Sequence, residues 1–325
     1  MIQTLKKIPM ALCGLILGME ALGNLFIMNN FSIIGNIVGI AGMLLLLLVL
    51  AKLVLVFRSA YSEILNPVAA GTLPTFTMAL MLMAMYWHRW GFTRFAIILW
   101  SVAIIIHLVI MAAFCWLNLI KTKPQLQAVY PSWFVMFVGI GVIPVSAPMF
   151  NLTIGQIFFW LALALYIIIF PIVIFRLIRV QEMVEGALPL LTIMAAPASL
   201  CLTGYLNSFG QINHIFAISL AIFAQCLYFA TLFLIVRIYI STKHSMLKFY
   251  PSFAAFTFPL VISSTALTVL SNQLNLASGL VILARIEWIV ATLMIIYVLG
   301  HYLKFLAGLM KVTGTSNVVV TNLKK

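Results

Sequence analysis

The sequence predicts an all-α polytopic membrane protein: ten transmembrane helices, paired as five helical hairpins in a quasi-five-fold ring around a central pore. Three observations predict it. Of 325 residues, 65% are hydrophobic and 7% charged, where soluble domains carry about a quarter charged. The apolar residues fall into ten runs near the length, about 20 residues, that a spanning helix needs. Prolines recur in phase with every second run, at Pro9, Pro67, Pro131, Pro189 and Pro251, with spacings of 58, 64, 58 and 62 residues. Such a composition excludes a soluble globular enzyme, and it excludes disorder because too much apolar surface needs cover.

The elements follow in order. The first span, 8–28, comes after Lys6 and Lys7; no small-residue cleavage site follows, so it is expected to stay as a helix. The second, 33–57, contains the run Leu44 to Leu48 and stops at Arg58. The third, 70–87, is diluted by Pro74, Thr75 and Thr77. The fourth, 94–119, is bulky at Ile104, Ile105 and Ile106. The fifth, 131–150, opens on Tyr130-Pro131-Ser132 and carries Gly139, Gly141, Pro144 and Pro148. The sixth, 153–177, ends in Arg176 and Arg179; the seventh, 188–207, carries Pro197 and Gly204; the eighth, 213–238, ends at Arg237. The ninth, 250–270, opens on Tyr250-Pro251-Ser252 and holds Pro259, and the tenth, 278–306, ends beside Lys304. Residues 1–310 thus read as a single transmembrane pore domain and 311–325 as a short basic cytoplasmic tail.

Charge orients this layout. There are 18 Lys and Arg against five acids, all of them Glu. Lys6, Lys7, Arg58, Lys121, Lys123, Arg176, Arg179, Arg237, Lys243, Lys248, Lys304, Lys311, Lys324 and Lys325 fall at one end of the spans; Arg89 and Arg94 fall at the other, and Lys52 and Arg285 lie within spans. The positive-inside bias places both termini in the cytoplasm. The same bias accounts for the net charge of +13 without nucleic acid, and none is expected as a partner. The expected surroundings are the lipid bilayer of the cell membrane.

Odd-numbered spans carry the breakers and small residues: Gly14 and Gly18, Pro74, Pro144, Pro197, Pro259. Even-numbered spans are smooth and bulky. Backbone groups freed by proline are tolerated at membrane depth only against protein or a water-filled cavity. The odd spans are therefore expected inside and the even spans toward lipid, although small residues also serve close helix packing. The inner walls are short of carboxylates, whereas cation filters use carbonyl or carboxylate rings. Odd-span N-termini and most basic side chains share one face, so the field there favours anions. Phe256-Thr257-Phe258-Pro259 puts an aromatic beside a proline, where it either plugs the path or packs in the core.

Four segments, Pro9–Gly18 (PMALCGLILG), Tyr130-Pro131-Ser132, Ala195-Ala196-Pro197-Ala198 and Ala255-Phe256-Thr257-Phe258-Pro259, together with the layout, resemble the tellurite-resistance/dicarboxylate transporter family. That family includes bacterial tellurite-resistance membrane proteins, fungal malate carriers and the slow anion channels of plant guard cells. The resemblance spans essentially the whole chain. It implies five hairpins around a pore, assembly as a homotrimer, and Phe258 as the gate that occludes the pore. Gly14, Pro74, Pro144, Pro197, Phe256 and Pro259 are the expected pore-lining or kink positions. An inner-ring position that often holds an aromatic in the family falls at Cys13, which departs from the pattern and suggests a less thorough seal.

Glu20 lies within the first span, and an acid there is a functional candidate by default. It is read either as a structural ion pair with Arg285 or as a coupling residue. Lys52 is expected to snorkel, and Glu287 to sit near the outer interface with Trp288. Glu63, Glu182 and Glu185 balance loop charge, and His107 is expected in a structural hydrogen bond. Cys13, Cys115, Cys201 and Cys226 read as buried apolar residues. No metal-ligand spacing or phosphate loop appears, so no cofactor is expected, and without Asp a Ser/His/Asp set is excluded. Three functions stand open: a passive anion channel or facilitator gated by Phe258, a proton-coupled carrier of C4-dicarboxylates, sulfite or tellurite-type oxyanions, and, least supported, an intramembrane enzyme. Glu20 discriminates the first two, since a channel does not need it.

Overall fold

The computed structural model describes residues 2–64, 70–122, 125–180, 182–241, 248–274 and 278–322, and no strand occurs among them. Pro67, Lys123, Lys243, Lys324 and Lys325 lie outside the described residues. Ten long helical runs follow one another: α1 Leu12–Met28, α2 Ser32–Leu55, α3 Thr75–Arg89, α4 Thr93–Lys121, α5 Trp133–Met149, α6 Leu152–Arg179, α7 Glu185–Ser208, α8 His214–Ser241, α9 Pro251–Leu274 and α10 Ser278–Asn322. Seven of them, α2, α4 and α6 to α10, are long and apolar enough to cross a membrane. The helix of α10 runs on past the expected end of the tenth span.

The connections within pairs are tight. Between α3 and α4, Gly91 takes φ 88°, a left-handed conformation that glycine adopts without a Cβ penalty just past a helix end. Its amide bonds the His88 carbonyl at 3.1 Å.

Proline acts differently from the expected mid-span bends. Pro74 is the N-cap of α3, so the helix begins at Thr75 rather than near residue 70. In α7, 3-10 turns run through Ala195 and the α-helix starts at Ala196. In α9, 3-10 turns cover Pro251–Phe256 and the α-helix starts at Phe258. Pro197 and Pro259 thus occupy the first turn of a new α segment, where a missing N–H costs nothing. α5 is broken more often, with 3-10 turns at Gly139–Gly141 and Ala147–Met149 flanking Val142–Ser146.

Burial separates the two sets. Of the most apolar stretch of α7 and α9, 89% and 94% is buried; for α2, α4 and α6 the share is 28%, and for α8 and α10 it is 22%. α1 is buried at nearly every position from Leu12 to Leu25. Each odd-numbered helix touches the next, α1 on α3, α3 on α5, α5 on α7, α7 on α9, and α9 returns to α1. Each even-numbered helix packs on its own partner from outside. Glycine sets the closest approaches: a Cβ on Gly35 of α2 would lie 2.5 Å from the Gly23 carbonyl oxygen of α1, the small-residue contact that membrane helices use to pack.

Candidate functional site

Two cavities lie between the odd-numbered helices, and all five contribute to each. The first, about 50 Å³, is bounded by their N-terminal parts, including Gly14 of α1 and Ala11 just before it, Thr75 and Met78 of α3, Phe134 and Val138 of α5, Pro197 of α7, and Ala255, Phe258 and Pro259 of α9. Among the described residues no charged side chain lines it. The second, about 340 Å³, is bounded by their C-terminal parts, including Asn24, Arg89, Val145, Pro148, Asn207 and Thr265. Phe258 and Leu200 line both cavities. They are 6% and 2% exposed, so an apolar partition of one aromatic and one branched side chain separates the two spaces.

The position of Phe258 is fixed by the residue before it. The Thr257 hydroxyl donates to the Gly14 carbonyl of α1 at 3.0 Å and to Ala254 at 2.7 Å, as alternatives for its single proton. A Cβ on Gly18 would lie 2.5 Å from Thr257 Oγ1 and 3.2 Å from the Phe258 nitrogen; one on Gly14 would lie 3.1 Å from Ala254 Cβ. Glycine at 14 and 18 therefore lets α1 press against the 3-10-to-α junction that carries Phe258. Leu200 has a similar allowance, since a Cβ on Gly141 would lie 2.9 Å from its Cγ.

Of the sequence-predicted lining positions, Gly14, Pro197, Phe258 and Pro259 are on the cavity walls. Pro74, Pro144 and Phe256 are not. Pro144 packs between helices, its ring 2.8 Å from where a Cβ on Gly204 would stand, and its carbonyl accepts from Ser208 Oγ at 3.1 Å; Pro148 lines the wall of α5 instead. Phe256 packs with its ring tilted against Phe253, which continues to Tyr297 and His301. A 3-10 turn rotates about 120° per residue, so Phe256 and Phe258 cannot share one face. Cys13 is buried and lines neither cavity, so its departure from an aromatic opens nothing there. Sequence reading missed Leu200, although it stands one helical turn beyond Pro197 on the same face.

The predicted Glu20–Arg285 pair does not form. Glu20 is fully buried with no hydrogen-bond partner for either carboxylate oxygen, and Oε1 would stand 2.6 Å from a Cβ on Gly42 of α2. The side chain thus points outward from α1, away from both cavities. Arg285 is exposed and borders a separate polar recess with Asn29, Ser271 and Asn272. Lys52 does not snorkel: it is buried, bonded to the Ile8 carbonyl and ion-paired with Glu63. Glu63 also accepts from the Met10 amide at 2.9 Å. Glu287 is buried within the protein. His107 Nδ1 is 2.8 Å from Thr77 Oγ1, the expected structural bond. All four cysteines are free; Cys13 and Cys201 are buried, Cys115 is partly so, and Cys226 is exposed, against expectation.

The family model described as Voltage-dependent anion channel (SLAC1) matches residues 7–303, nearly the whole chain. No curated protein matches the chain at a significant level.

Proposed function

The chain belongs to the voltage-dependent anion channel family, and we propose that it passes small inorganic or organic anions through a central pore occluded by Phe258. Members of this family are membrane anion channels or transporters rather than enzymes. The observation that carries the gated-pore reading is the pair of cavities walled by all five odd-numbered helices and parted at Phe258 and Leu200. Ions do not cross a narrow apolar constriction because nothing there replaces their hydration shell. The contact circuit of α1, α3, α5, α7 and α9 supports a quasi-five-fold ring, with all ten helices crossing and both termini cytoplasmic. In this reading residues 1–310 are the pore domain, 311–325 its cytoplasmic tail, and the plasma membrane its site. The homotrimer rests on the family resemblance and is checked by the mass of the detergent-solubilised complex.

The test is the reversal potential of purified, reconstituted protein, wild type and Phe258→Ala, across chloride, nitrate, sulfite and malate gradients. Phe258→Ala conducting anions supports the proposal; anion-impermeant Phe258→Ala protein that is correctly folded overturns it. A coupled carrier is the second reading, favoured by the unpartnered carboxylate of Glu20. It requires that flux respond to a pH gradient.

A further inference from the structure

We propose that Arg89 is an anion-docking group in the larger cavity, and that it holds one planar oxyanion or carboxylate in the space that the Phe258–Leu200 partition closes. This rests on the anion-path reading above.

Arg89 is the only charged side chain on the wall of that cavity among the described residues. Its Nη1 donates to Asn24 Oδ1 at 2.7 Å, and its guanidinium carbon lies 5.6 Å from the centre of the Tyr86 ring. Asn24 is itself held: its amide nitrogen donates to the Glu20 carbonyl at 2.8 Å. Tyr86 is anchored to the same carbonyl, its hydroxyl donating at 2.9 Å. Asn24 therefore has its oxygen turned to the arginine, and one face of the guanidinium is backed by an aromatic ring. Among the described residues, Asn24 engages one of the five N–H donors of Arg89 and no carboxylate neutralises the charge. Glu20, the acid of α1, is turned toward Gly42.

Arg89 is half-buried at the last residue of α3, and a cation without an acidic partner on a cavity wall of a membrane protein marks a pathway or a ligand. Neutral neighbours on the remaining wall, Leu82, Met85, Val145 and Ile262, keep the local dielectric low and strengthen its pull on an anion. The rigid fork of guanidinium matches the two oxygens of a carboxylate or nitrate better than it matches a spherical halide. Arg89 would thus concentrate oxyanions at the far end of the path from the basic face, and its removal would weaken capture without closing the pore.

The experiment measures conductance of Phe258→Ala channels against the nitrate concentration bathing the Arg89 end. Adding Arg89→Gln is expected to raise the half-saturating nitrate concentration by about tenfold, the loss of a charge-assisted bond, while conductance at saturation stays near its starting value. Arg89→Lys is expected between the two, with nitrate and formate affected more than chloride. An unchanged half-saturation, or a uniform fall at every concentration, overturns the inference. A second measurement is independent of conduction: phenylglyoxal labelling of Arg89 in wild-type protein, read by mass spectrometry, is expected to slow with nitrate. Labelling indifferent to nitrate overturns it, and labelling that slows while Phe258→Ala conducts nothing leaves the docking site standing and removes the channel.

Discussion

Phe258 on α9 and Leu200 on α7 form a shared wall between two cavities that are otherwise built from different residues. One is held by the Thr257–Gly14 bond and the other stands in the space left by Gly141.

Phe258→Ala is therefore expected to raise anion conductance at least about tenfold, a barrier drop of about 1.4 kcal/mol. Leu200→Ala is expected to raise it less, because the larger aromatic remains. The double variant should fall short of the product of the two, since both residues close one constriction. Planar-bilayer recordings check this; an inert Leu200→Ala in a conducting Phe258→Ala background would assign the block to Phe258 alone.

Gly18→Ala is expected to cost about 1–3 kcal/mol, the range for overpacking a filled interior. The added methyl meets Thr257 and the backbone of Phe258, so relief must come from moving α1 or the α9 segment that carries Phe258. Thermal unfolding in detergent, followed by tryptophan fluorescence, should show a lowered Tm; Gly210→Ala, with nothing within 4 Å of the new Cβ, is the control.

Thr257→Val removes the hydroxyl bridge to α1 at nearly constant shape. The expected loss is about 1 kcal/mol, and Thr257→Ser should recover most of it. If Thr257→Val also raises leak conductance, the bridge steadies the gate as well as the fold.

Glu20→Gln should leave passive anion flux unchanged, because the carboxylate faces α2 and not the cavities. Arg285→Ala should leave stability near wild type, since no Glu20–Arg285 pair exists to break. Liposome flux that falls on Glu20→Gln and vanishes without a pH gradient would favour the coupled carrier.

Lys52 and Glu63 should respond unequally. Glu63 is 32% exposed and Lys52 is fully buried. Removing Lys52 leaves a carboxylate that water can reach, whereas Glu63→Leu strands a buried ammonium on backbone carbonyls. Glu63→Leu is expected to cost more, within the several kcal/mol typical of an orphaned buried charge, as measured by unfolding midpoints.

Much of the architecture could be read from residue types. The in-phase prolines and glycines separated the buried helices from the outward ones, and burial of α7 and α9 against α2 and α8 agrees with that split. Phe258, Pro259, Pro197 and Gly14 stand on a cavity wall. Phe256, Pro144 and Pro74 do not: Pro74 caps α3, Pro144 packs against Gly204, and Phe256, two residues before Phe258, faces the other side.

The amino-acid sequence alone determined the helical class and a chain that spans the membrane several times. Each follows from composition, hydrophobic run length and charge position, which are properties of the chain taken one segment at a time. Tertiary structure decided the rest: Leu200 as partner to Phe258, Asn24 orienting Arg89, and Glu20 turned from the path. Those depend on the rotation of each helix about its own axis. A helix such as α8 is apolar on nearly every side, so no hydrophobic stripe encodes that rotation, and close contacts between helices far apart in the chain fix it instead.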